Sequence, residues 1–311
     1  MKFRNGIAYS GDKVECGTLE EKLNHAIKNG VNYIQIRTKD IQDMIIIDNQ
    51  LNKEKLQEFI NLITNYNGTL SVHLPNLVWN YDDLELTESN QLVFTIIKNI
   101  LLPMGIKDYT IHPHFNRQVY DSLSDTQKKL MLEKMSDYFS NLSNLGINLA
   151  IENIPVRDIN VIRQMPESDK KKKAIKNISY GMTVEEIQTI LDLTKAKVNN
   201  GRVGITYDTG HSLAMIKDMD ARFQEIDRWI SHFKNDIIIY HIAPNIGSDP
   251  SKLTEEAKKY DRKLVECVYD ASQRYEIDAL TFIEAHANFE LLTELYDISE
   301  QIKDEKKQLT P

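Results

Sequence analysis

Short runs of β-branched and apolar residues alternate with longer stretches of helical periodicity from one end of the chain to the other. The runs predict strands near 3–9 (FRNGIAY), 31–37 (VNYIQIR), 69–74 (TLSVHL), 108–113 (DYTIHP), 148–154 (NLAIENI), 202–208 (RVGITYD), 236–243 (DIIIYHIA) and 279–285 (ALTFIEA). Between them, apolar positions recur three and four residues apart. TLEEKLNHAIKNG runs from Thr18 to Gly30, a residue that closes helices because it adopts the left-handed conformation at little cost. NKEKLQEFINLI begins a second helix at Asn52, and SDTQKKLMLEKMSDYFSNL, from Ser124, sets Leu130, Met135, Tyr138 and Leu142 on one face. TVEEIQTILDL carries Thr183 and Glu186 in the Thr-x-x-Glu form of a capping box. ARFQEIDRWISHF, from Ala221, aligns Phe223, Ile226, Trp229, Ile230 and Phe233 in a stripe.

Strand runs followed almost every time by a helix are the pattern of βα units in a parallel sheet. Eight of them predict a closed (β/α)8 TIM barrel, an α/β fold, as a single domain over residues 1–298. An open doubly wound sheet would show a glycine-rich phosphate turn after its first strand, and neither G-x-G-x-x-G nor G-x-x-x-x-G-K-[ST] occurs. No Pro/Gly/Ser linker interrupts the series. Residues 299–311, SEQIKDEKKQLTP, read as a polar C-terminal tail. Residues 155–181 form a long basic excursion that is either a lid or a solvated loop, with Lys170 to Lys173 as exposed charge.

Composition narrows the function classes. The 311 residues are 41% hydrophobic and 27% charged, ample for a buried core. A net charge of −8 argues against a broad basic surface for nucleic acid. Cys16 and Cys267 stand far apart in no metal-binding spacing, which suits a reduced cytosolic protein. The start, MKFRNGIAYSGDK, has no apolar signal core, and no run is long enough to span a membrane, so a cytoplasmic location is expected. A homo-oligomer is left open.

The chemistry stands at the strand ends. SVHLP, IHPH, AIENIP, YDTGH, YHIAPN and FIEAH place His73, His112, His114, Glu152, Asp208, His211, His241, Glu284 and His286 where each strand meets the following loop. Loops leaving the parallel strands of a barrel line one mouth, so these residues converge. Glu152, Asp208, His241 and Glu284 end strands five to eight. Three carboxylates and one imidazole suit a divalent cation, Mn²⁺, Co²⁺, Mg²⁺ or Zn²⁺, with positions left for substrate oxygens. Each residue alone could be a satisfied polar group at the rim. Four in register beside buried strands, where an unpaired charge is costly, argue for metal.

His73 and His112 would complete a second metal position beside Glu152 or bind substrate hydroxyls. His211 either points into the site from the first turn of the next helix or serves as a cap. His114 and His286 share a face with stronger candidates but sit higher, toward solvent. His25 and His232 lie in helical patterns and read as surface residues. No nucleophile elbow, cysteine nucleophile or H-E-x-x-H helix is present.

With these motifs in order over about residues 5–290, the chain resembles the superfamily of xylose-isomerase-like TIM barrels. That superfamily holds sugar and sugar-phosphate isomerases and epimerases, together with the endonuclease-IV-like abasic-site nucleases (AP endonuclease family 2). Resemblance to the isomerase branch implies a metal held by Glu152, Asp208, His241 and Glu284. It also implies that Glu152 and Glu284 act as the proton-transferring pair on a small polyhydroxylated carbonyl substrate, through an enediolate. Resemblance to the nuclease branch implies zinc ions on His73, His112 and Glu152 and on the four-residue set, with His211 on a third zinc, and abasic-site DNA as substrate. In this chain the Asp-x-His expected after the seventh strand is replaced by NIGSDPSKLTEEAKKYD, with Asp249 but no histidine following it. The glycine-rich stretch after the fifth strand is replaced by IPVRDINV. A nuclease would also need a basic and aromatic crescent, for which Arg37, Lys39, Trp79, Tyr81 and Arg117 are candidates. For a phosphorylated sugar, Arg157, Arg163 and the lysines of the excursion are the candidate anion partners.

Overall fold

In the computed structural model each apolar run becomes a strand of one parallel sheet: β1 (Arg4–Ala8), β2 (Tyr33–Arg37), β3 (Thr69–His73), β4 (Asp108–Ile111), β5 (Asn148–Glu152), β6 (Arg202–Asp208), β7 (Ile237–Ile242) and β8 (Leu280–Glu284). The sheet closes on itself in the order β1-β8-β7-β6-β5-β4-β3-β2. The structure describes residues 4–10, 17–47, 50–155, 179–216, 218–243, 254–285 and 288–308. Most of the 155–181 excursion, the stretch around Asp249, Cys16 and His286 lie outside them. By its contacts the chain groups into two compact units, residues 1–75 with 239–311 and residues 76–238. Among the described residues no helix is long and apolar enough to cross a membrane.

Alternation along the strands separates the two faces of the sheet. In the first unit, Gln35 of β2 donates to Ser71 of β3 at 3.1 Å, both buried, while Ile34, Ile36, Leu70 and Val72 occupy the intervening positions. In the second, Thr110 of β4 and Thr206 of β6 share a hydrogen bond of 2.9 Å. The lining side chains in these layers are short and polar, and each is paired, so their burial costs little. Close strand approach is paid for with glycine. A Cβ on Gly6 would meet the Tyr33 carbonyl oxygen at 2.1 Å, and one on Gly204 would meet that of Asp236 at the same distance.

The helices begin where their caps predict. Thr18 and Glu21 cap α1 (Leu19–Lys28) reciprocally, and Gly30, at φ 64°, turns the chain out of it. Then come α2 (Thr38–Ile45), α3 (Lys53–Asn65) capped by Asn52, α4 (Ser89–Ile96) with a π-helical turn to Leu101, and α5 (Arg117–Ser122). Ser124 caps α6 (Asp125–Ser143), which buries Met131, Met135, Tyr138, Phe139 and Leu142; Leu130, expected on that face, is exposed. Thr183 caps α7 (Val184–Lys195) through the Glu186 amide, but the Glu186 carboxylate does not reach back to complete a capping box. It accepts from the amides of Gly181 and Met182 and pairs with Arg117 instead. After the short α8 (Thr209–Leu213), α9 (Met219–His232) starts two residues before the expected Ala221. Its Trp229 stacks on Tyr207 of β6 with ring centroids 5.4 Å apart.

The last elements are α10 (Glu255–Arg274) and α11 (Phe289–Gln308). The polar tail expected from Ser299 is corrected here. Helix α11 continues to Gln308, Ser299 and Ile302 are fully buried, and the Ser299 carbonyl accepts from Asn5 of β1 at 3.2 Å.

Candidate metal centre

In the second unit Glu152 is the centre of a cluster. It ends β5, is 1% exposed, and its Oε2 lies 3.2 Å from His112 Nε2, just past β4. Its Oε1 lies 3.5 Å from Nδ1 of His211, which is in α8. Asp208 ends β6 and caps α8, its Oδ1 accepting from the His211 amide at 2.7 Å. The capping role left open for His211 therefore belongs to Asp208. His211 reaches toward Glu152, and its ring stands 5.8 Å from that of His112.

Two asparagines hold these groups in place. Asn153 is buried, and its amide clamps the Asp208 backbone, donating to the carbonyl at 3.0 Å and accepting from the N–H at 2.7 Å. Its own carbonyl lies 2.7 Å from His211 Nδ1; a carbonyl can only accept, so that nitrogen carries the proton. Asn76 Oδ1 stands 2.9 Å from His112 Nδ1 and assigns the proton there in the same way. Nε2 of His112 then faces the Glu152 carboxylate. Two acceptors facing each other at 3.2 Å call for a cation between them, a proton or a metal. No spacing in the sequence flags Asn76 or Asn153; the only hint for the latter is its place directly after Glu152.

The first unit supplies the remaining predicted residues. His241, the next-to-last residue of β7, is fully buried, with Nδ1 2.6 Å from Oε2 of Glu284 at the end of β8. His73 ends β3, gives its Nδ1 proton to the Leu74 carbonyl at 2.9 Å, and stacks near His241 with centroids 6.1 Å apart. His73, His112 and Glu152 each offer a ligand atom within 4.8 Å of the others, and so do Glu152, Asp208, His241 and Glu284. All six residues of those two groups were expected at the site.

Other expectations change. His114 is half-buried rather than standing in solvent, and this burial, aided by the charge of His112, lowers its pKa to about 4. His25 is not a surface residue. It accepts from the Tyr9 hydroxyl at 2.7 Å, contacts Thr293 Oγ1 at 2.8 Å and the Phe289 carbonyl at 3.1 Å, and stacks on the Phe289 ring. His232 is exposed, as expected. The crescent candidates are mostly committed inside the protein. Trp79 is buried and donates to the His114 carbonyl, the Tyr81 hydroxyl accepts from the Asn116 amide, and Arg117 pairs with Asp121 and Glu186. Lys39 is exposed, and Arg37 is bound to Asp40.

A closed parallel barrel with histidines and carboxylates at its strand ends defines a class, the (β/α)8 barrels whose chemistry gathers where the strands meet their following loops. The chain belongs to the xylose isomerase-like TIM barrel family, whose family model matches residues 23–266. No curated protein matches it by sequence. Among solved structures it is similar to L-ribulose 3-epimerase, with 11% identity, a TM-score of 0.58, and coverage of 100% of this chain and 99% of that one. A D-tagatose 3-epimerase-like protein is 16% identical with a TM-score of 0.55, covering 98% and 99%. The IolI protein, in a crystal structure with a zinc atom, is 14% identical with a TM-score of 0.57, covering 97% of each chain. At such identities these likenesses establish the fold.

Proposed function

We propose that the protein is a divalent-metal-dependent isomerase or epimerase of a small sugar or sugar phosphate. In this reading Glu152, Asp208, His241 and Glu284 hold the cation, and Glu152 and Glu284 transfer the proton. The observation that carries it is the approach of four ligand atoms, three carboxylate and one imidazole, to within 4.8 Å of one another. Mn²⁺, Co²⁺, Mg²⁺ and Zn²⁺ all suit that donor set. The epimerases and the zinc-bearing IolI protein among the structural relatives support the same reading.

The bound cation would supply Lewis acidity, drawing charge from a carbonyl so that the neighbouring C–H becomes acidic. One glutamate takes that proton and the other returns a proton to the adjacent or the opposite position. Burial of Glu152 keeps water from competing for the transferred proton.

The test is exchange of substrate protons with deuterated solvent, using protein loaded with Mn²⁺ or Co²⁺ and a panel of ketoses and ketose phosphates. Glu152→Gln and Glu284→Gln should each abolish exchange, with metal content measured alongside. No exchange across the panel would refute the proposal. One observation favours a second reading, a zinc phosphodiesterase acting on abasic-site DNA: His73, His112 and Glu152 also form a ligand group. Chelator-sensitive incision of an abasic duplex would establish it.

A further inference from the structure

We propose that Arg37 anchors an oxyanion of the substrate, a phosphate or a carboxylate, at the mouth beside His73; this rests on the proposed reading of the site. Arg37 is the last residue of β2 and the register partner of His73 on β3. Two residues earlier in each strand, Gln35 and Ser71 are also register partners, and they hydrogen-bond across the sheet. By the two-residue repeat of a strand, Arg37 and His73 share the face on which Gln35 and Ser71 meet.

The guanidinium is fixed from behind. Nη2 and Nε donate to Asp40 Oδ1 and Oδ2 at 3.0 and 3.4 Å, and Nη1 donates to the Ser10 carbonyl at 3.0 Å. A guanidinium has five N–H groups. Three are used, leaving one each on Nη1 and Nη2 to donate to a carboxylate or phosphate. The side chain is 27% exposed, enough to be reached.

The charge balance points the same way. Asp40 is shared with Lys22, whose Nζ lies 2.9 Å from Oδ2 and whose side chain is fully buried. Two cations therefore face one carboxylate. Lys22 takes up much of the charge that would otherwise neutralise Arg37, so the guanidinium keeps an excess of positive charge on a chain that is acidic overall. An arginine needed only to hold a loop would be satisfied by Asp40 alone, and a fully buried lysine behind it would be an expensive addition. Lys22 and Asp40 act here as positioning residues. Sugar phosphates and sugar acids carry the complementary group, whereas neutral sugars do not.

The test is calorimetric binding to the full-length protein of inorganic phosphate, D-fructose 6-phosphate, D-glucuronate and D-fructose, with Arg37→Gln and Arg37→Lys alongside. At least one oxyanion ligand should bind more tightly than D-fructose and weaken as salt is raised. Arg37→Gln should weaken it at least about tenfold, the loss expected for a charge-assisted hydrogen bond, with Arg37→Lys between. The phosphate and carboxylate arms identify which group is preferred. Equal binding by wild type and both variants, D-fructose binding as tightly as the anions, or no anion binding at all would each overturn the proposal. Because the readout is binding, loss of the isomerase reading would appear separately, as absent proton exchange.

Discussion

Replacing Asp40 by Asn should be among the most destabilising single changes in this protein, whereas replacing its partner Lys22 by Met should cost little. Lys22 has one charged partner at 2.9 Å and no access to water; Asp40 has two cations, Lys22 and the half-exposed Arg37. Removing the carboxylate strands a buried ammonium, and breaking a buried pair in this way costs roughly 3–5 kcal/mol. Arg37 would lose less, because water can reach it. Lys22→Met leaves Asp40 bonded to the guanidinium and to the Arg37 amide, and the thioether fills the vacated space, so the change should fall within about 1 kcal/mol. For 311 residues at about 2.1 cal/mol/K each, ~4 kcal/mol is a fall in Tm of about 6 °C. Calorimetric melting of the two single variants and of the double variant would measure this, and the double variant should melt above Asp40→Asn. The reasoning fails if Lys22→Met costs as much as Asp40→Asn, or if the double variant is no better than Asp40→Asn.

Asn153→Ala should weaken Mn²⁺ binding roughly ten- to a hundredfold, because the Asp208 backbone loses the side-chain amide that clamps it, while His211 keeps the main-chain carbonyl of residue 153; titration with the metal reads this directly. Mn²⁺ at a hundred times its Kd should stabilise the fold by about 2.7 kcal/mol, raising Tm by about 4 °C, and Asp208→Asn should remove most of that rise. Burial lowers the His25 pKa below its ordinary value. The folded protein therefore holds the neutral ring, whose contribution is complete above the unfolded pKa of about 6.5 and is lost as pH falls through the lower folded value. His25→Gln should flatten the decline in urea midpoint below about pH 6.5, and an unchanged slope would refute the assignment.

The strands and their order were legible because alternation and strand length are local properties. A run such as IIIYHI is buried on both faces only in a covered parallel sheet, and its polar residue at the end must sit at the mouth. That is why Glu152, Asp208, His241 and Glu284 could be placed at or next to the strand ends from the chain alone. Tertiary structure decided what depends on partners far away in sequence. Lys22 lies in a helix whose letters read as solvated charge, and only the arrival of Asp40 makes its burial tolerable. His25 became a packed residue because Phe289 and Thr293 close over it from the other end of the chain. The proton positions on His112 and His211 were likewise set by Asn76 and Asn153, through hydrogen bonds that leave no periodic trace. Periodicity records which face of an element is covered. It does not record what covers it, and partner identity decides charge, tautomer and chemistry.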